Sequence, residues 1–255
     1  MAVLALILLS ACDRGPRYEG LGFVAYNYTP FDIDTVSLTD QSGNRAMTTQ
    51  VSVGAGAGSV ACCYQLRGTE FTAAWRAVDS EVLRRDLYDK DVNRHFFTRE
   101  RLVTFPPSEL PGGAGPVYLE LHIYPDEHVD VALTRRLANA RLPIVATARW
   151  LWAQHRQDLG SFRDGVELTR VIARVAQTSW GVYRIEDAED MRQYMKMYFL
   201  VASDFDQDAG IQSVLNKSGR QPGEFAQAIE ALPTERLAAI ARAGAAPGNK
   251  NGRTQ

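Results

Sequence analysis

The residues with the clearest chemical potential surround one predicted turn. The segment His122-Ile-Tyr-Pro-Asp126-Glu127-His128-Val-Asp130 holds two histidines and three carboxylates, groups that bind zinc or exchange protons. Strand geometry puts His122 on the first strand, Asp126 and Glu127 in the turn, and His128 and Asp130 on one face of the return strand. This arrangement separates the groups, and the polarity of a solvated turn explains all of them. We therefore predict neither a metal site nor a catalytic site here.

A second acidic segment, Asp204-Phe-Asp206-Gln-Asp208, resembles the beginning of a calcium-binding loop. Such a loop needs glycine at its sixth position and a bidentate carboxylate at its twelfth. Ala209 and Leu215 occupy those positions here. Acidic residues at the start of a helix are the better interpretation, and we predict no metal or other cofactor.

Other catalytic motifs are missing from the sequence. A nucleophile elbow requires Gly-x-Ser-x-Gly, and no such pentapeptide occurs. The segment Gly54–Ser59 lacks the lysine of a phosphate-binding loop and the glycine spacing of a dinucleotide site, so a flexible strand connection explains it better. We predict that the protein is not an enzyme.

Composition limits the classes of partner. The 255 residues include 28 basic and 30 acidic side chains and are 45% hydrophobic, as in an ordinary globular protein. This charge balance gives no strong field of either sign, so we predict that nucleic acid is not a partner.

The first residues predict export and a lipid anchor. Ala2–Leu9 is an unbroken apolar run, far shorter than the roughly 20 residues of a membrane-spanning helix but typical of the core of a secretory signal. Leu9-Ser10-Ala11-Cys12 resembles the lipobox of bacterial lipoproteins, in which signal cleavage leaves an acylated cysteine at the new N-terminus. We predict a signal with anchor residue Cys12 over residues 1–12, and a short tether over residues 13–20.

This prediction places the protein in the periplasm, attached by Cys12 to the inner or the outer membrane. A secretory signal normally opens with a basic residue, which Met1-Ala2-Val3 does not supply. A buried first strand over Met1–Leu9 therefore stays open as the alternative.

The other two cysteines are neighbours, Cys62 and Cys63. The oxidising periplasm favours a disulfide between them, but adjacent strand residues point to opposite faces and oppose it. Two small apolar side chains on the two faces of a strand are the alternative, and both interpretations stay open.

The chain divides into two halves with different periodicity. Residues 21–134 contain short alternating runs separated by Pro, Gly and Asn, which predict a mostly antiparallel, sandwich-like β-domain. Its clearest hairpin pairs Val117–Tyr124 with Val129–Leu133. Residues 135–243 repeat apolar side chains at helical spacing, as in the stripe Met191–Phe199, and predict core helices. Residues 244–255 have little to bury and predict a disordered tail. The fold class is α+β.

Several short motifs follow one another through the first half. They are Asn27-Tyr28-Thr29 followed by Ile33, the glycine-rich stretch before Cys62-Cys63, Trp75, and the strand ending in His122-Ile-Tyr-Pro-Asp126. In this order they resemble a family of bacterial lipoproteins long labelled as unknown in function, some of which are type VI lipase immunity proteins. The resemblance covers about residues 21–133 and leaves the helical half unmatched.

The resemblance implies an immunity protein that binds and neutralises a cognate phospholipase effector delivered by type VI secretion. It agrees with the predicted anchor, which places the protein beside the membrane that such a lipase attacks. Two alternatives stay open: a metal-assisted hydrolase using His122, His128 and Asp130, and a structural envelope lipoprotein without a toxin partner.

Overall fold

The computed structural model describes residues 15–54, 58–86, 88, 90–105, 110–137 and 140–244. Within these ranges, two four-stranded sheets account for the first half of the chain and helices for the second, which confirms the α+β class. The strands are β1 (Arg17–Asn27), β2 (Asp32–Asp40), β3 (Arg45–Val51), β4 (Ala61–Arg67), β5 (Glu70–Val78), β6 (Phe96–Thr104), β7 (Val117–Ile123) and β8 (Val129–Thr134).

The first sheet has the order β4-β1-β7-β8 and the second has the order β3-β2-β5-β6. Five of the strand pairs are antiparallel, as predicted, whereas β1 and β7 run parallel. The predicted hairpin is present as β7 and β8, with His122 opposite Asp130. β1 begins inside the segment predicted as a tether, and its Tyr18 is buried against Phe105.

The first sheet is the middle layer of three because both of its faces are covered. Along β1, the alternation of side chains sends Leu21, Phe23 and Ala25 into a core shared with the second sheet. Val24, Tyr26 and Tyr28, on the opposite face, join a second core with the helices. A strand covered on both faces must be apolar throughout, which explains the composition of this segment.

One strand escaped prediction because its sequence is highly charged. The segment from Arg84 to Arg101 contains most of β6, which lies at the edge of the second sheet. Edge strands tolerate exposed charge, and charge there opposes pairing with other chains. Arg99 and Arg101 both contact Glu127 in the β7–β8 turn, so this edge is tied to the first sheet.

The described helices are α1 (Ser80–Arg85), α2 (Ile144–His155), α3 (Gly165–Ser179), α4 (Ala188–Lys196), α5 (Ala209–Leu215), α6 (Glu224–Glu230) and α7 (Thr234–Gly244). Short 3₁₀ segments occupy Val92–His95 and Phe205–Gln207. A π-helical turn, Met197–Val201, extends α4. In the described part of the chain, none of these helices is long and apolar enough to cross a membrane.

Aspartates define where several helices begin. Asp164 accepts hydrogen bonds from the backbone N–H groups of Val166 and Glu167 at the start of α3, and Asp187 does the same for α4. In the sequence, Pro143 and Gly160 predict the start and the end of a helix. α2 does begin after Pro143, but it ends at His155 rather than at Gly160.

Candidate functional site

An open cleft of about 1160 Å³, which we call the helical cleft, is lined by residues of the helical half together with Asp79, Glu81 and Arg85. One wall is a single face of α3, whose residues recur at three- and four-residue spacing: Glu167, Arg170, Val171, Arg174, Val175 and Thr178. The face mixes apolar, cationic and anionic side chains, and is therefore suited to recognition of a ligand that is itself amphipathic.

A second wall is aromatic and consists of Phe162, Tyr194, Tyr198 and Phe199. Phe199 packs edge-on against Phe162 with ring centroids 5.7 Å apart, and against Tyr198 at 5.0 Å. Tyr194 is buried, whereas the other three rings keep part of their surface exposed. The stripe predicted as core is thus core at Met191, Tyr194 and Met195 and cleft wall at its C-terminal end.

Most charges that line the helical cleft already have partners. Arg174 contacts both carboxylate oxygens of Asp79, at 2.9 and 3.0 Å, and Asp79 also caps α1. Glu167 accepts hydrogen bonds from Arg163. These pairs neutralise one another and add little net charge to the cleft.

Arg170 differs from its neighbours on α3 because its donors are poorly used. Among the described residues, the nearest carboxylate oxygen is Oδ2 of Asp32, which lies 3.6 Å from Nη2 of Arg170. This distance is too long for a good hydrogen bond. The Nε of Arg170 is buried and has no hydrogen-bond partner among the described residues. The side chain is still 22% exposed and lines the helical cleft, so a ligand in the cleft can reach part of it.

The acidic segment at the other side of the cleft does not form a calcium loop. Asp206 accepts hydrogen bonds from the hydroxyls of Tyr194, at 2.9 Å, and Tyr183, at 3.3 Å. Burial and this nearby carboxylate raise the pKa of Tyr194, which stays a neutral donor. Asp208 caps α5 and pairs with Arg236, so its predicted role at a helix start is confirmed.

The structure corrects the interpretation of His122 as part of a solvated turn. His122 is completely buried on the face of β7 that meets the helices, where its ring stacks on Tyr26 with centroids 4.7 Å apart. Its Nδ1 lies 3.0 Å from the hydroxyl of Tyr28, and its Nε2 lies 3.4 Å from a carboxylate oxygen of Glu120. Strand periodicity placed His122 on a strand but does not reveal that helices cover its face.

The direction of the hydrogen bonds around His122 follows from the donors available. Tyr28 accepts from the backbone N–H of Arg141 at 2.8 Å, so its own proton is free to go to Nδ1 of His122. The proton of the neutral ring then sits on Nε2, facing Glu120. Burial lowers the pKa of His122 to about 4, in agreement with a neutral ring. The network fixes the start of the helical half to the sheet.

The remaining hairpin residues lie at the surface, as predicted. His128 stacks on Tyr124 at 4.3 Å and contacts Asp126 at 2.8 Å, while Asp130 pairs with Arg141 at 3.0 Å. Glu127 is held by the two arginines of β6. Among the residues that the structure describes, no group of three His, Cys, Asp or Glu side chains is positioned to hold a metal ion.

Cys62 and Cys63 lie exposed on the edge strand β4 and are joined by a disulfide across a cis peptide bond. Of the two interpretations left open by the sequence, the structure therefore agrees with the disulfide. Cys12 and the predicted signal lie outside the described residues, as does most of the predicted tail.

Sequence reasoning missed the arginines of the helical cleft. The available signal was the spacing of Arg170 and Arg174 beside Val171 and Val175, which places cations next to an apolar stripe on one helix. That pattern fits an ordinary solvated helix equally well, because it does not reveal the aromatic wall of the same cleft.

Comparison of the chain with protein-family models, with curated proteins and with solved structures found no match.

Proposed function

We propose that this protein is a periplasmic lipoprotein that binds a phospholipase effector delivered by type VI secretion and neutralises it in the cell that produces it. The proposal begins from the resemblance over residues 21–133 and from the lipobox ending at Cys12. The structural observation that carries it is the helical cleft, because arginine and aromatic side chains on a rigid scaffold are the residues that dominate binding energy at protein interfaces.

Inhibition by binding requires that the protein cover the entrance to the lipase active site or hold its lid. An antitoxin must outcompete lipid substrate at low toxin concentration, which calls for high affinity and an interface of about 1,200 Å² or more. With 28 basic and 30 acidic residues, attraction between the partners depends on local charge rather than on the overall field.

The position of His122 counts against the alternative of a metal-assisted hydrolase. That reaction would need His122, His128 and Asp130 to share access to a metal and a substrate. His122 is buried in the core, and its two ring nitrogens contact the side chains of Tyr28 and Glu120.

The direct test combines binding with inhibition. The mature protein is purified and mixed with the proposed cognate phospholipase, and complex formation and phospholipid hydrolysis are measured together. We expect a complex at well below micromolar concentration and loss of hydrolysis. Absence of a complex at micromolar concentration, or a complex with undiminished hydrolysis, would reject the proposal and favour the structural envelope lipoprotein.

The anchor has its own test. Cys12→Ser removes the acylation site, and stable attachment needs more than one acyl chain. We expect this variant to leave the membrane fraction. Mass spectrometry that finds Cys12 unmodified in the mature protein would contradict the anchor without deciding the binding activity.

A further inference from the structure

We propose that the helical cleft receives one polypeptide segment of the phospholipase, which places a carboxylate against Arg170 and a large apolar side chain against Phe162, Tyr198 and Phe199. This inference rests on the proposed function and specifies where the partner binds. The size of the cleft, its charge and its aromatic wall indicate which occupant it receives.

The dimensions of the helical cleft favour a polypeptide over a small molecule. The α3 wall from Glu167 to Thr178 is about 16 Å long at 1.5 Å per residue. The cleft volume of about 1160 Å³ is close to that of two turns of an α-helix of 10–12 Å diameter, roughly 1,000 Å³. Small-molecule sites are usually about 300–1,000 Å³ and enclose most of their ligand. An open cleft of this length fits a helical or extended segment lying along α3.

The charge pattern of the α3 wall selects a carboxylate at one position. Arg174 is already held by Asp79, and Glu167 is held by Arg163, so neither offers a free charge. Arg170 has only a 3.6 Å contact with Asp32. A carboxylate that enters the cleft there would form charge-assisted hydrogen bonds with a guanidinium that is partly desolvated. An anionic residue of the partner is therefore complementary to this wall.

The aromatic wall of the same cleft supplies the apolar contact. The π-helical turn Met197–Val201 carries Tyr198 and Phe199, and such turns inside helices are frequent at functional sites. The partly exposed rings of Tyr198, Phe199 and Phe162 form a continuous edge-to-face cluster. A large apolar side chain buried against this cluster would be the second anchor, because interface energy concentrates in a few aromatic and arginine contacts.

The test compares two charge reversals in the mature protein. Arg170→Glu changes the cleft, and Arg67→Glu makes the same change on exposed β4. We expect Arg170→Glu to raise the Kd for the lipase at least tenfold and to abolish protection of cells, whereas Arg67→Glu stays within twofold of the unmodified protein. Arg170→Gln, which keeps the apolar stem, should fall between them. Unfolding midpoints of all three variants identify any loss due to instability.

A photocrosslinking amino acid at position 198 provides a measurement that does not depend on Arg170. We expect it to link to one continuous segment of the lipase that contains Asp or Glu, while the same residue at position 65 on β4 does not. If the unmodified protein fails to bind the lipase, the proposed function fails. If it binds and both charge reversals bind equally well, only the assignment of the cleft is overturned. The same holds if native mass spectrometry finds a lipid bound to the unmodified protein but not to the Arg170→Glu variant.

Discussion

Asp190, on α4, accepts a hydrogen bond of 2.8 Å from the backbone N–H of Ala226, in the first turn of α6. The residue before α6 is Gly223, which has no side chain to satisfy these N–H groups, so a neighbouring helix supplies the cap. Asp190 is buried, and α4 also carries Tyr194 of the helical cleft. The contact therefore joins α6 to the element that forms the aromatic wall.

We expect Asp190→Ala to lower the free energy of unfolding by about 1–3 kcal/mol, because it leaves a buried N–H without an acceptor. Burial raises the pKa of Asp190, so ionisation of this side chain is disfavoured in the folded protein. Asp190→Asn keeps an acceptor oxygen without a charge and should cost less than half as much. Urea denaturation of both variants tests this, and equal losses for Asn and Ala would contradict the cap.

The hydroxyl of Tyr28 connects two parts of the chain, and its removal should be costly. Tyr28→Phe leaves Nδ1 of His122, which is buried, without a donor and the backbone N–H of Arg141, which is partly buried, without an acceptor. We expect a loss of about 2–3 kcal/mol in the free energy of unfolding. Tyr118→Phe is the matched control, since no hydrogen bond of its hydroxyl is found among the described residues and its ring is half-buried. Similar losses for the two variants would show that the network contributes nothing specific.

Stability should also depend on pH through His122. In the unfolded chain His122 titrates near its usual pKa of about 6.5, whereas in the folded protein its pKa is about 4. As pH falls below 6.5, His122 binds a proton in the unfolded state but not in the folded state. The free energy of unfolding therefore falls until about pH 4. The steepest expected change in the free energy of unfolding is about 1.4 kcal/mol per pH unit.

The comparison that isolates His122 is with His122→Gln, measured by denaturation at intervals from pH 7 to pH 4. Other acidic groups change the stability of both proteins, but the difference between them should shrink as pH falls across this range. A difference that stays constant would mean that His122 does not titrate as its burial requires.

Much of the fold was predictable because its signals are local. Alternation identified most strands, helical spacing identified the stripe Met191–Phe199 that runs through α4, and the acidic residues up to Asp208 identified the start of α5. The parallel pairing of β1 with β7 has no such signal, because Leu21 and Val117 are neighbours only after the intervening strands have gone to the second sheet. β6 was missed because an edge strand does not need the apolar alternation that buried strands require.

The site was less predictable because it depends on contacts between distant elements. Strand period placed His122 and Asp130 correctly relative to the turn, but burial of His122 comes from helices that begin after Pro143. In the same way, the spacing of Arg170 on α3 gives its helix face and not its environment. Arg170 becomes distinctive only when Asp32 is found at 3.6 Å and aromatic side chains are found lining the same cleft.

The hairpin tip provides the test of whether the protein protects without catalysis. We expect the double variant His128→Ala, Asp130→Asn to protect cells from the lipase as well as the unmodified protein does. Both side chains are largely exposed, at 44% and 48%, and surface charge pairs of this kind contribute only about 0–1 kcal/mol. His122 is left unchanged because its loss would disturb the core. Survival of cells that co-express the lipase and the variant is the measurement, with unfolding midpoints as the control. Loss of protection by a variant that retains its stability and still binds the lipase would mean that these residues take part in chemistry after all.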